Sequence, residues 1–365
     1  MKNTFGNQIT VTIFGESHGA GIGVVLDGLA PGMRVDEEFL CAQLSKRRPS
    51  GKISTARREL DEYTLESGVF NGFTTGTPLC IVIPNTAQHS KDYAATRSKA
   101  RPGHADYTAY CKYHGYEDYR GGGHFSGRIT AGLVAAGGIL LPALEEKGIR
   151  IATHIRRCAG VDDRNFDDLE KDITALNRAE FPVLSAESGE KMQASIQDSA
   201  AAGDSVGGIL ETVVIGLPAG LGEPWFDSVE GLLSHGLFSI PAVKGVSFGD
   251  GFELADQRGS EANDPFRYDG DRVVTAKNSN GGINGGITNG MPLVVRTVIK
   301  PTPSIYQPQE TVDFIRGENA TLQIEGRHDP CIVHRARVVV DSICALVVAD
   351  LLATRYGTDY LGGTQ

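Results

Sequence analysis

The sequence predicts an α+β fold made of two similar halves that share one core. Three observations predict it. The stretch GFTTGTPL at 72–79 and the stretch GITNGMPL at 286–293 both fit G-x-T-x-G-x-P-L, and each runs into a β-prone segment, CIVIPNT or VVRTVIKPT. An apolar strand closed by a turn precedes each one, IGVVLDGLAPG at 22–32 and ETVVIGLPAG at 211–220. Each half then ends in a glycine- or arginine-rich loop that opens a long apolar helix, GGGHFSGRITAGLVAAGGILLPALEEKG from 121 and GRHDPCIVHRARVVVDSICALVVADLLATRYG from 326. The same three elements in the same order indicate a duplication within a single 1–365 domain, with halves of approximately 1–160 and 204–365.

The elements follow from local chemistry. DEEFLCAQLSKR at 36–47 reads as a helix, because Asp36 can cap it and acids fill its first turn. Alanine, leucine and valine cover several faces of the helices after 128 and 332, so both are expected to be buried. Between the halves, 161–203 reads as two polar amphipathic helices forming an exposed excursion. The 46 glycines follow no repeat, which assigns many of them to turns and close backbone approaches.

Composition narrows the function classes. A net charge of −10 argues against a general nucleic-acid binder, which needs a broad basic face. The N-terminus MKNTFGNQITVTIFGESHG lacks the apolar run of a signal peptide, and no uninterrupted apolar stretch approaches a membrane span, so neither nucleic acid nor membrane is an expected partner. The six cysteines are scattered without a CxxC pair and read as free thiols of a cytoplasmic protein.

Four segments could carry chemistry. GESHGAGIG at 15–23 departs from the dinucleotide fingerprint and from the hydrolase elbow, leaving Ser17 and His18 as donors in a glycine-rich turn or as parts of a plain surface turn. KRRPSGKISTARRE at 46–59 is either a solvated basic loop or an anion clamp, because an arginine fork matches phosphate and carboxylate oxygens. RPGHADYTAYCKYHGYEDYRGGGHFSGR at 101–128 places His104, His124, Ser126 and Arg128 beside a glycine run and a helix start, where free amides receive anions. Its histidine spacing fits no zinc set, and an imidazole suits proton transfer at neutral pH. EGRHDPCIVHRAR at 325–337 puts Arg327, His328 and Asp329 before the second buried helix, where Asp329 is either a cap or a site residue.

These motifs, with FSIPAVKGVSFGDGF at 238–252 and NGGINGGITNGMPLVVRTVIKPTPS at 280–304, resemble the chorismate synthase family across nearly the whole chain. The resemblance implies a β-α-β sandwich with central helices between antiparallel sheets, assembled as a homotetramer. It implies a carbon–oxygen lyase of the shikimate pathway of aromatic amino acid biosynthesis. The reaction is an anti 1,4-elimination of phosphate from 5-enolpyruvylshikimate-3-phosphate that needs reduced FMN without net redox change. It further implies His18, His104 and Asp329 as catalytic residues. Substrate anions would lie on Ser17, Arg47, Arg48, Arg57, Arg128 and Arg327. FMN would lie on Arg101, His104, His124, Phe125, Ser126, Ala242, Gly285, Lys300, Pro301, Thr302, Pro303, Ser304 and Arg327. No metal is implied.

Three departures from the family pattern bear on these expectations. His124-Phe125-Ser126-Gly127-Arg128-Ile129-Thr130 stands where R-S-S-A-R-E-T is frequent, and Pro241 replaces an asparagine that would meet the flavin. Ile53 replaces a basic residue near the position linked to NADPH in some members, where Arg47 would also contact that reductant. This loss favours an external flavin reductase over NADPH. Two other classes compete with the lyase: a metal-dependent phosphohydrolase using the histidines and Asp329, and a non-catalytic anion-binding scaffold.

Overall fold

Alternating apolar residues build the first sheet. The computed structural model describes residues 2–49, 51, 53–54, 61–86, 97–324 and 328–363. The first strands are β1 (Thr4–Phe5), β2 (Thr10–Gly15), β3 (Gly21–Asp27), β4 (Thr64–Ser67), β5 (Val69–Phe70), β6 (Phe73–Thr74) and β7 (Leu79–Pro84). Five of them pair antiparallel in the order β1-β2-β3-β7-β4, and β5–β6 is a small hairpin. Ile22, Val24 and Leu26 of β3, with Leu79, Ile81 and Ile83 of β7, turn one face inward and are fully buried.

The second sheet draws on β8 (Arg150–Cys158), β9 (Val161–Asp162), β10 (Gly208–Ile215) and β11 (Val243–Phe248). The hairpins β12 (Phe266–Asp269) with β13 (Arg272–Thr275) and β14 (Ile283–Asn284) with β15 (Ile287–Thr288) precede β16 (Leu293–Ile299), and β17 (Gln309–Asp313) pairs with β18 (Glu318–Leu322). The sheet order is β11-β16-β10-β8-β9, again antiparallel. The repeated motif takes the same place in both halves: β5–β6 leads into β7, which pairs with β3, and β14–β15 leads into β16, which pairs with β10. Residues 150–162 join the second sheet because β8 pairs with β10 along its length and with β9, so the sheets divide before Arg150.

The helices are α1 (Glu37–Arg47), α2 (Asp106–Tyr113), α3 (Thr130–Glu146), α4 (Leu169–Arg178), α5 (Ala186–Ala201), α6 (Val229–Ser239), α7 (Gly259–Ala262) and α8 (Val333–Tyr356). Asp36 caps α1 as expected, accepting from the Phe39 amide at 2.9 Å. α3 lies on the first sheet, α8 on the second, and the two pack on each other. Gly127–Glu146 is long and apolar enough to cross a membrane, yet 83% of its most apolar window is buried inside the molecule.

The 161–203 segment is less exposed than its polar sequence implied. Ile173, Leu176, Met192 and Ile196 are fully buried. Arg337 of α8 donates to the Leu176 and Ala179 carbonyls at 2.8 and 2.5 Å, closing the C-terminus of α4 with a cation. Below it, buried His154 meets Asp163 at 2.9 Å and Glu211 at 3.2 Å, and Asp163 also accepts from the Leu184 and Ser185 amides. Burial alone would lower the His154 pKa, but the two carboxylates raise it.

The α3–α8 crossing depends on Gly137. A Cβ at this position would stand 2.4 Å from Ser342 Cβ and 2.8 Å from Ser342 Cα, closer than real atoms approach. Gly137→Ala is therefore expected to force the helices apart and to cost about 1–3 kcal/mol, measured as a lower urea midpoint. An unchanged midpoint would show that the crossing has slack.

Candidate active site

Three glycines make a backbone ledge between two histidines. Gly121, Gly122 and Gly123 all take positive φ, at 57°, 87° and 51°. A Cβ on Gly121 would fall 2.1 Å from His18 Cε1, and one on Gly122 would fall 3.3 Å from His104 Cε1 and 3.5 Å from His104 Nε2. The run is glycine because both imidazoles press against it. Gly123 carries the far side of the turn, where its carbonyl accepts from the Ser17 amide at 3.1 Å.

Each histidine is fixed through Nδ1. His18 Nδ1 lies 3.0 Å from Ser17 Oγ, and that hydroxyl lies 3.2 and 3.3 Å from the Arg120 and Gly121 carbonyls. A hydroxyl that donates to a carbonyl accepts from the ring, which assigns the proton to His18 Nδ1. His104 Nδ1 donates to Asp106 Oδ1 at 2.8 Å, while Arg101 grips both Asp106 oxygens at 2.7 and 2.8 Å. Burial works to raise the Asp106 pKa, but the Arg101 and His104 hydrogen bonds outweigh it and hold the carboxyl well below its usual range. The anchor opens α2, whose first residue is Asp106. His114 is the left-handed C-cap of that helix, with φ 59°. His124 donates from Nδ1 to the Gly15 carbonyl at 2.8 Å. Among the described residues, no three histidine, cysteine or carboxylate side chains gather as a metal set.

Beside the ledge is a cationic cluster. Arg47 at the end of α1 donates to Asp61 Oδ2 at 2.8 Å, Arg128 donates to Asp61 Oδ1, and Arg48 Nε lies 3.7 Å from the same carboxylate. Arg335 in the first turn of α8 donates to Asp329 Oδ2 at 2.6 Å and to the Arg47 carbonyl at 2.8 Å. Among the described residues, four guanidiniums thus face two carboxylates. The Arg47 side chain is almost wholly buried, and its Nε has no hydrogen-bond partner among the described residues. Its pKa is lowered first by burial and further by Arg335 and Arg128, with Asp61 opposing. Such a cluster is incomplete without an anion. Arg57 and Arg327 lie outside the described residues.

The expected cofactor residues fall into separate groups. Ser126 accepts from the Arg128 amide at 3.3 Å, and Phe125 stands edge-on to Tyr113 with ring centroids 6.0 Å apart. Lys300 donates to the Gly103 carbonyl, next to His104, and the Lys300 amide donates to Ala242 at 2.9 Å. Ala242 has φ 75°, a conformation that suits neither alanine nor regular structure. Ser304 is buried with Pro303 close to Gly103, and the Ser205 hydroxyl donates to the Thr302 carbonyl at 2.7 Å. Thr302 Oγ1 is buried without a hydrogen-bond partner among the described residues. An orphaned hydroxyl, a lysine and His104 on adjoining loops fit a phosphorylated, partly apolar cofactor. Gly285 follows β14 in a hairpin whose next glycine, Gly286, packs on Glu223 and Ser228.

Sequence reasoning missed Asp61, Asn85, Asp106 and Arg335. Asn85 donates to the Glu16 and Gly19 carbonyls at 2.8 and 2.9 Å and accepts from Arg128 Nε at 3.1 Å, tying the His18 turn to the arginines. A lone Asn after a strand and an Asp among surface acids carry no local signal. Asp106 and Arg335 did have one, since each lies a few residues from a proposed site residue.

The chorismate synthase family model matches residues 9–353. A chorismate synthase of Thermococcus gammatolerans is 48% identical over 351 residues, 96% of this chain and 97% of that one. One from Dehalococcoides mccartyi is 46% identical over 354 residues, 96% of each chain. A crystal structure of chorismate synthase matches with a TM-score of 0.77 at 27% identity, covering 97% of this chain and 94% of that one.

The ledge itself is testable. Gly121→Ala places a methyl group where His18 stands and strains the backbone by about 1–2 kcal/mol. His18 is expected to leave Ser17, read as a shifted imidazole 15N resonance in a protein that still unfolds cooperatively. An unmoved His18 resonance would disprove the ledge.

Proposed function

This chain belongs to the chorismate synthase family, and on that premise we propose how its side chains divide the work of the lyase reaction. It eliminates phosphate from 5-enolpyruvylshikimate-3-phosphate to give chorismate, a step of aromatic amino acid biosynthesis. The observation that carries the assignment of the site is the buried arginine cluster. The substrate has one phosphate and two carboxylates, and Arg47, Arg48 and Arg128 offer forks for them beside the N-terminus of α3. Arg57 and Arg327 are assigned to the same anions from the sequence alone.

His18, doubly protonated with its Nδ1 proton held on Ser17, gives its Nε2 proton to the departing phosphate and is left as the neutral Nδ1–H imidazole. His104 keeps its Nδ1 proton on Asp106 and turns its other edge to Gly122, where Nε2 can hold or share a proton with the cofactor. Asp329 assists removal of the ring hydrogen, oriented by Arg335. Ser126 and Ser17 are assigned to the substrate's surroundings.

The flavin of the family is taken to be reduced FMN, which when bound lends electron density as phosphate leaves and recovers it as the C6 hydrogen goes. Arg101, His104, His124, Phe125, Ser126, Ala242, Gly285, Arg327 and the Lys300–Ser304 loop would hold it. The orphaned Thr302 hydroxyl supports that loop as part of the site. Ile53 is buried, with a hydrocarbon side chain that cannot meet the 2′-phosphate of NADPH, which favours an external flavin reductase. NADPH on Arg47 is the alternative reductant. Exposed Trp225, Phe226 and Phe252 offer apolar surface for the homotetramer assigned from the family. The cytoplasm is the assigned compartment, and the two halves are assigned to a duplication within one domain.

The test is an anaerobic assay with the enolpyruvyl phosphate and dithionite-reduced FMN. Chorismate and phosphate are expected in equal amounts, and His18→Ala and His104→Ala are each expected to lower kcat by about 10²–10⁴-fold with the fold intact. Wild-type rates in both variants would remove the histidines from the mechanism. Absence of both products would overturn the reading of the site.

A further inference from the structure

The Asp61 side chain is wholly buried, yet neither its neighbours in the chain nor the lyase chemistry asks for a carboxylate there. Its two oxygens are divided between two arginines that the reaction uses: Oδ2 accepts from Arg47 and Oδ1 from Arg128. Its backbone is left-handed, with φ 49°, a conformation that the surrounding structure must impose on a non-glycine residue. Arg128 then passes the constraint on. Its Nε donates to Asn85 Oδ1 at 3.1 Å, and the Asn85 amide donates to the Glu16 and Gly19 carbonyls on either side of His18. One unbroken chain of hydrogen bonds runs from Asp61 through Arg128 and Asn85 to the turn that carries the acid.

We propose that Asp61 is a positioning residue for the elimination: an internal anion that sets the angle between Arg47 and Arg128, limits how tightly they grip any anion, and keeps Arg128 in register with the His18 turn. The proposal rests on the reading of this site as the lyase site. Burial would raise the Asp61 pKa, but Arg47 and Arg128 outweigh it and lower it, so the residue is charged at neutral pH.

The physical reason concerns which state the arginines bind. Substrate, chorismate and phosphate are all anions, so a guanidinium pair without an internal partner would bind each of them more tightly alike. Uniform tightening lowers KM without raising kcat, and tight products leave slowly. Asp61 takes up part of that attraction. It also holds the forks where the departing phosphate needs them when His18 delivers its proton.

Asp61→Asn keeps the shape and removes the charge. The first measurement is the affinity of the resting protein for inorganic phosphate by calorimetry, which needs neither flavin nor turnover. It is expected to tighten by about tenfold, since one positive charge more faces the anion. The second is steady-state kinetics with reduced FMN: kcat is expected to fall about tenfold or more while KM stays level or falls. A merely structural ion pair predicts instead a lower unfolding midpoint with weaker phosphate binding, and that result overturns the proposal, as does an unchanged kcat. Where Asp61→Asn does not fold, Asn85→Ser carries the test. It leaves every charge in place and is expected to lower kcat with KM and phosphate affinity unchanged, and an unaltered kcat overturns the relay. Wild-type protein that binds phosphate but makes no chorismate would refute the lyase reading and leave the charge argument to the calorimetry.

Discussion

The structure depends on the convergence of three helix ends. α1 finishes at Arg47, α3 begins just after Arg128, and α8 begins just before Arg335. Arg128 reaches Arg47 through Asp61, and Arg335 reaches the carbonyl of Arg47 directly. The buried crossing of α3 on α8 at Gly137 and Ser342 keeps these ends in place, since a tight helix pair moves as a unit. The apolar core thus sets the site geometry: helix packing fixes where the cations stand, and the loops that open α3 and α8 supply the remaining groups. The starts of α3 and α8 also add their amide dipoles to the arginines, so field and charge agree in sign.

Concentrating cations in a buried cluster has a cost that the site meets in stages. Guanidiniums lose hydration when buried, and their mutual repulsion adds to the loss. Asp61 and Asp329 offset part of it, carbonyls take some donors, and Arg47 Nε is left over among the described residues. This remaining deficit is what an anionic ligand can relieve. The acidic exterior does not oppose it at close range. With a net charge of −10, most carboxylates lie on the surface, where salt screens them, while the arginines act within a few ångströms in a poorly solvated cleft.

How much of this was legible in the sequence depended on the range of the interaction. The cap of α1, the buried α3 and α8 and the strand after each G-x-T-x-G-x-P-L motif are set by local periodicity and turn chemistry, and all stand where the sequence put them. The 161–203 segment was misjudged because only one narrow stripe of each helix is apolar, and Arg337, from a distant helix, completes the contact. The strands β8 and β9 join the second sheet for a similar reason: pairing partners are chosen in space. In the site, His18, His104, Arg47 and Arg128 stood in recognisable motifs. Asp61 and Asn85 did not, because an acid in ELDEYT and an amide in IPNT have ordinary surface alternatives.

The glycine run shows how such hidden constraints can be recovered. A glycine triplet alone licenses a turn, a hinge or a phosphate cradle. The structure narrows the choice, since a side chain on Gly121 would overlap His18, one on Gly122 would press on His104, and all three glycines take positive φ. Both rings are anchored through Nδ1 to a second side chain, Ser17 for one and Asp106 for the other. The anchoring leaves each ring one working edge, and the ledge decides which way that edge looks. The two imidazoles can then serve different tasks, because one is held by a neutral hydroxyl and the other by a carboxylate already gripped by Arg101. The difference between the two histidines is thus one of second partners, and it is built before any ligand arrives.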